Sequence, residues 1–258
     1  MGGAILRGYT SAHPQEAKNC FIYDLSGEAA EKLRALTGAQ VVASVSEVVD
    51  RADLTIIAVK PYHYDNVLPL IAACDLTEKT IMTIAAGIPI AKVEQALGTD
   101  KSIVRIMPNT PAGVLCGMTA VWRNKNVPDL VFESVMALLS SFGKAIEIQD
   151  EEMVHAVIGA SGSSPAYAYM FIDAIAKASQ AEGLAYEDAL IFAAQSVMGA
   201  SKMVMESGMD PTALRIAVCS PNGTTIEAVH KLQENGFEQC VGEAVHAAAE
   251  RSREMSKE

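Results

Sequence analysis

The residues best suited to chemistry stand in short loops where a strand ends or a helix begins. SPNGTT (220–225) directly precedes the amphipathic stretch IEAVHKLQENG, so its last residues open a helix whose first N–H groups lack intrahelical partners. Such a terminus suits a carboxylate, because donors and the positive end of the helix dipole converge there. The same residues also read as an ordinary helix start capped by Thr224 or Thr225. Asn222 lies between Pro221 and Gly223, and Asn is the non-glycine residue that best tolerates positive φ. In RIMPNTPA (105–112) prolines flank Asn109-Thr110, which ends the strand IVRI in a stiff loop. SGSSPAY (161–167) passes through Ser163 into a helix that Ser164 can cap and Pro165 can begin.

Three further signals point to a nucleotide. Asp24 follows the strand FIY, beside the turn Ser26-Gly27. An acid at that place accepts hydrogen bonds from adenosine ribose hydroxyls and repels the extra phosphate of NADP; a surface Asp beside a turn is the plainer alternative. LTIIAV runs into Lys60-Pro61, and TIMTIA runs into Ala85-Ala86-Gly87. Ligands of open α/β sheets sit past the carboxyl ends of the strands, where both segments fall, although strands also end this way for turn reasons alone. No metal centre is expected: the five histidines form no HxxxH or HExxH pair, and the five cysteines are scattered with no CxxC, as reduced thiols.

The elements that must position these loops change character along the chain. CFIY (20–23), LTIIAV (54–59), TIMTIA (80–85), SIVRI (102–106), TAVW (119–122) and AIEI (145–148) read as strands. GEAAEKLRAL, VSEVVDRA and DNVLPLIAA read as crossover helices between them, the pattern of a parallel sheet. LTIIAV is apolar almost throughout, as for a strand buried on both faces. After residue 150 only helical signals remain. In the segment from Ser164 to Gly183, Tyr167, Met170, Phe171, Ala174, Ile175 and Ala178 share one face, and EDALIFAAQSVMGASKMVMESG is apolar over most of its circumference. A small domain cannot cover so much apolar helix, so self-association is expected. The net charge of −11 opposes a nucleic-acid partner. No apolar run is long enough to span a bilayer and no signal-peptide layout opens the chain, which reads as cytoplasmic with no membrane partner.

Taken in order, these segments resemble the pyrroline-5-carboxylate reductase family, whose patterns are GxGNMGxAI, SGSGPAY and SPGGTT. The resemblance runs from MGGAI to the tail and implies an α/β Rossmann-like dinucleotide-binding domain over 1–150, followed by an all-α substrate-binding and dimerisation domain over 151–258. It implies reduction of 1-pyrroline-5-carboxylate, a small cyclic imine, to L-proline with NADPH or NADH, by a homodimer or higher homo-oligomer. Cofactor contacts are carried over to Gly2, Gly3, Asp24, Ser26, Ala58, Val59, Lys60, Pro61, Ala85, Ala86 and Asn109. Substrate contacts are carried over to Ser163, Ser220, Asn222, Gly223, Thr224 and Thr225, with Thr225 as the catalytic hydrogen-bond donor towards the ring nitrogen. Departures are Ser164 and Asn222, both in places of family glycines, and MGGAI, which matches only the end of its pattern. The first strand and two loop glycines are therefore expected to be missing, through a start some ten residues upstream or in a defective form. A coenzyme-deficient helical dimer remnant is one alternative. A 3-hydroxyisobutyrate-type dehydrogenase is another, disfavoured because Lys177 is the only lysine on its helix and no Asn stands four residues on.

Overall fold

The structure, a computed structural model, describes residues 1–257. It falls into two compact units, Met1–Ser163 together with the chain from His246 onward, and Ser164–Val245. In the first unit β1 (Phe21–Ile22) and β2 (Gln40–Val41) form a parallel pair. A second sheet orders β3 (Leu54–Ile57), β4 (Thr80–Thr83), β5 (Ser102–Met107), β6 (Gly117–Arg123) and β7 (Gly143–Glu147). β3, β4 and β5 are parallel, β6 runs antiparallel to β5, and β7 is parallel to β6. Among the described residues no strand pairs with the second edge of β1 or of β3. The sheet is thus in two pieces, at the place where the central strand of a Rossmann sheet would stand.

The crossover helices follow from local signals. α2 (Gly27–Thr37) is capped by Ser26, whose Oγ accepts the Ala29 N–H at 3.2 Å, and stops at Gly38 with φ 76°. In α3 (Val45–Arg51) Ser44 caps the Glu47 amide while the Glu47 carboxylate accepts from the Ala43 amide. α4 (Tyr64–Ala72) and α5 (Ile90–Leu97) cover one face of the larger sheet, burying Tyr64, Leu68, Ile71, Val93 and Leu97 against Ile57, Ile81 and Ile103. α1 (Gly2–Ala12) and α6 (Asp129–Ser140) contribute Ile5, Phe132, Val135 and Leu139 to the other face, against Met82, Val104, Ile106 and Val121. A Rossmann-like α/β layering results.

Several expectations need correction. LTIIAV ends as strand at Ile57, and TIMTIA ends at Thr83, so residues 58–60 and Ala85-Ala86 lie in loops and Pro61 opens a short 3-10 helix, Pro61–His63. β4, buried along its whole length, is the strand covered on both faces; β3 alternates half-buried Leu54 and Ile56 with buried Thr55 and Ile57, because it is an edge. β2 carries no periodic signal in its two residues.

Two elements lead out of the first unit, α7 (Met153–Val157) and a π-helical turn, Ile158–Gly162. The second unit holds α8 (Ser164–Ala181), α9 (Tyr186–Glu206), α10 (Pro211–Val218), α11 (Thr224–Glu234) and the first part of α12 (Phe237–Met255). Ser164 is the first residue of α8 rather than its cap; the preceding Ser163 amide bonds Ile158 O instead. On the α8 face that carries Tyr167 to Ala178, Tyr167 and Ile175 are half-buried while Met170, 74% accessible, and Phe171 are exposed, as are Ile191 and Phe192 on α9. Only small residues, Ala176, Ala189 and Ala193, are buried where these helices meet.

Candidate active site

The first unit gathers the segments singled out for a coenzyme. α1 begins against the carboxyl end of β3: a Cβ added to Gly2 would lie 2.6 Å from Ala58 Cβ, so only glycine fits at this approach. The amides of Gly2 and Gly3 precede the first intrahelical bonds, in which Ala4 and Ile5 N–H donate to Met1 O. Further along the helix, a Cβ at Gly8 would come 2.6 Å from Ala112 O, and Gly113 faces Ala4, so α1 also lies on the loop that follows β5. Helix N-terminus, AVKP and MPNTPA are thereby neighbours. Ala58, Val59 and Lys60 are exposed, whereas Ala85 is buried and Ala86 half-buried against Met107 and Val154. Gly87 turns with φ 79°, its Cα face closed by the backbone of Met255. Asp24 is exposed two residues beyond β1, and its Oδ1 accepts the Ser26 amide at 2.8 Å.

Asn109 is engaged within the first unit. It is buried, donates from Nδ2 to Ser161 O at 3.1 Å, and accepts the Met118 amide on Oδ1 at 2.9 Å. Its side chain pins RIMPNTPA to β6 and to SGSSPAY, and two motifs far apart in sequence become one junction. Ser163 follows at the end of that junction.

SPNGTT stands by itself in the second unit. Ser220 O accepts the Gly223 amide at 3.0 Å, closing a turn in which Asn222 has φ 58°. A Cβ on Gly223 would collide with Ser220 Oγ and lie 3.0 Å from Ser220 O, so a larger residue there forces the Ser220 side chain to rotate and its carbonyl to shift. The N-cap of α11 is Gly223 with no side-chain cap, which overturns Thr224 or Thr225 as the capping residue. Both threonines lie in the first turn, exposed, with their amides and hydroxyls open.

Sequence reasoning missed one polar cluster. Arg105, inside the apolar β5, is 3% exposed and donates from Nη1 to Glu151 Oε1 at 2.7 Å; the same carboxylate oxygen accepts the Ile90 amide at 2.8 Å. Next to it His155 Nδ1 is 2.8 Å from Ser252 Oγ. Burial holds the His155 imidazole below its usual range; Glu152 and Glu151 oppose that, and Arg105 and Arg253 add to it. A cation in the run SIVRIM was the available signal. Across the sheet face, Tyr64 OH sits 2.6 Å from Thr83 Oγ1, its pKa raised by burial against the lowering effect of that bond.

Residues 151–255 match the family model described as pyrroline-5-carboxylate reductase dimerisation, and residues 1–87 match that described as NADP oxidoreductase, coenzyme F420-dependent. The chain is 42% identical over 257 residues to the pyrroline-5-carboxylate reductase of Escherichia coli K12, covering 100% of this chain and 95% of that one. This chain belongs to the pyrroline-5-carboxylate reductase family. Its relative in Methanosarcina acetivorans is 35% identical over 257 residues, with the same coverage of both chains. Among solved structures, the Plasmodium falciparum reductase with NADP bound superposes with a TM-score of 0.90 at 31% identity, covering 99% of this chain and 94% of that one. The reductase of Coxiella burnetii gives 0.89 at 27% identity, covering 100% and 97%.

Proposed function

We propose that this chain reduces 1-pyrroline-5-carboxylate to L-proline with NADPH or NADH. The observation that carries the reading is the relation to reductases along the whole chain. A bound nicotinamide coenzyme supplies the hydride that the imine carbon receives. The chain's residues fit such a coenzyme: an open helix start at Gly2-Gly3, where a side chain at Gly2 would collide with Ala58, an acid just beyond β1, and small residues after β4. In this reading Gly2 and Gly3 face the pyrophosphate, Asp24 and Ser26 the adenosine ribose, and Ala58, Val59, Lys60, Pro61, Ala85 and Ala86 the remaining length of the coenzyme. Asn109 acts by holding the loop after β5 in place.

Ser220, Asn222, Gly223 and Thr224 form the substrate loop, whose open α11 amides receive the carboxylate. Thr225 gives a hydrogen bond to the ring nitrogen, and Ser163 contributes a hydroxyl. A protonated imine is already electrophilic, so orientation carries most of the work and no strong acid is required. We assign coenzyme binding to 1–150 and substrate binding with self-association to 151–258. The exposed Met170, Ile191, Phe192 and Ile216 support a homodimer or higher homo-oligomer. The five cysteines are all free, which supports a reducing, cytoplasmic setting, and the charge of −11 argues against nucleic acid. No helix among the described residues is long and apolar enough to cross a membrane.

The test is loss of nicotinamide absorbance on adding 1-pyrroline-5-carboxylate, with proline identified as product. Folded protein that oxidises neither NADH nor NADPH with this imine refutes the assignment.

A further inference from the structure

We propose that this chain selects NADH over NADPH, and that Asp24 makes the selection. The inference rests on the coenzyme site described under Proposed function. An adenosine ribose bound beyond β1 places its 2′ position near the first acid after the strand; a carboxylate accepts hydrogen bonds from a hydroxyl there and repels a phosphate.

The surroundings of Asp24 favour the hydroxyl in three ways. Its carboxylate is held rather than free to swing away: Oδ1 accepts the Ser26 amide at 2.8 Å, and Oδ2 has no partner among the described residues. The segment from Tyr23 to Glu28 contains two carboxylates, Asp24 and Glu28, and no Lys or Arg; the loop after β2, residues 42–44, also has none, and there the Glu47 carboxylate accepts the Ala43 amide.

The two arginines of this region are committed elsewhere. Arg51 stacks over the Phe21 ring at 4.1 Å and donates to Gln40 and Glu47, which ties it to the first residues of β1 and β2. In parallel strands that end is opposite to the one where Asp24 stands, about three residues or roughly 10 Å away along β1. Arg34 is paired with Glu31 at 2.6 Å. Lys18 precedes β1 and shares its amino end. Lys32, more than a helical turn inside α2, is the nearest cation in sequence after Asp24, and Glu28 lies one turn before it. A 2′-phosphate would therefore meet negative charge with neither arginine free to neutralise it.

The experiment measures dissociation constants of NADH and NADPH for the full chain by nicotinamide fluorescence, then KM for each with 1-pyrroline-5-carboxylate. The expected result is a preference for NADH on the order of tenfold, from one uncompensated like-charge contact. Asp24→Asn keeps the oxygen that accepts the Ser26 amide and removes the charge; it should shrink that ratio severalfold, mainly by tighter NADPH binding. Equal or tighter binding of NADPH by the unaltered chain overturns the proposal, as does a ratio that D24N leaves unchanged. A chain that binds NADH selectively and reduces no imine supports the selection and refutes the reductase reading; a chain that binds neither coenzyme overturns both.

Discussion

Replacing Glu151 by alanine should destabilise the first unit by about 3 kcal/mol, through loss of one partner in a buried ion pair. The figure comes from the local geometry. The Arg105 side chain is 3% exposed, and Nη1 is the only one of its nitrogens with a partner among the described residues. Glu151 is 22% exposed, which puts the cost at the low end of the range for buried pairs. The change also strips the Ile90 amide, the first of α5, of its acceptor. Glu151→Gln keeps a carbonyl oxygen for both donors and loses only the charge, so about 1–2 kcal/mol is expected. Urea unfolding followed by tryptophan fluorescence reads this directly, since Trp122 is the one tryptophan and stands opposite Arg105 in the β5–β6 register. With a slope of about 3 kcal/mol per molar urea, the E151A midpoint falls by about 1 M. Adding Arg105→Met to E151A should recover stability relative to E151A alone, because the stranded charge is gone. An E151A midpoint within a few tenths of a molar of the unaltered chain, or E151Q as costly as E151A, would refute the account.

Gly223→Ala places a methyl group against Ser220 and should cut kcat/KM for the imine more than tenfold; Thr225→Ala should lower turnover, and in both variants coenzyme affinity stays nearly unchanged. Loss of coenzyme binding in either would contradict the substrate-loop assignment. His155 has its folded-state pKa held below the ordinary 6.5, so the unfolded chain takes up that proton first as pH falls. Its neutral form therefore supports full stability above about pH 6.5, and stability is lost as pH drops below that value towards the folded pKa. His155→Asn should reduce the difference in unfolding midpoint between pH 7.5 and 5.5, and an unchanged difference counts against a buried neutral imidazole. Tyr64→Phe removes the hydroxyl between Thr83 Oγ1 and Ile57 O and should cost about 1–2 kcal/mol in the same urea experiment, with no cost if those groups are solvated.

Much of the first unit was legible because its signals are local. Ser26 before α2 and Ser44 before α3 mark helix starts through hydrogen bonds made within three residues, and alternating or continuous apolar runs mark strands. The turn before α11 was legible for the same reason: Asn222 and Gly223 adopt a conformation governed by their own backbone and by Ser220 three residues away.

What stayed hidden depends on partners distant in sequence. The span of LTIIAV does not reveal that β3 is an edge and β4 the covered strand, since burial of a strand is decided by what pairs beside it. Asn109 in MPNTP carries no sign that its amide will be consumed by Ser161 and Met118, nor Arg105 that it will meet Glu151. Likewise Thr224 and Thr225 are good capping residues by type, yet the turn places Gly223 at the cap and leaves both hydroxyls open. The amino-acid sequence by itself determined the element types, the order of the motifs and the family. The tertiary structure alone decided which polar side chains are spent on holding loops and which remain open for a ligand, because a hydrogen-bond partner tens of residues away is chosen by packing and not by local preference.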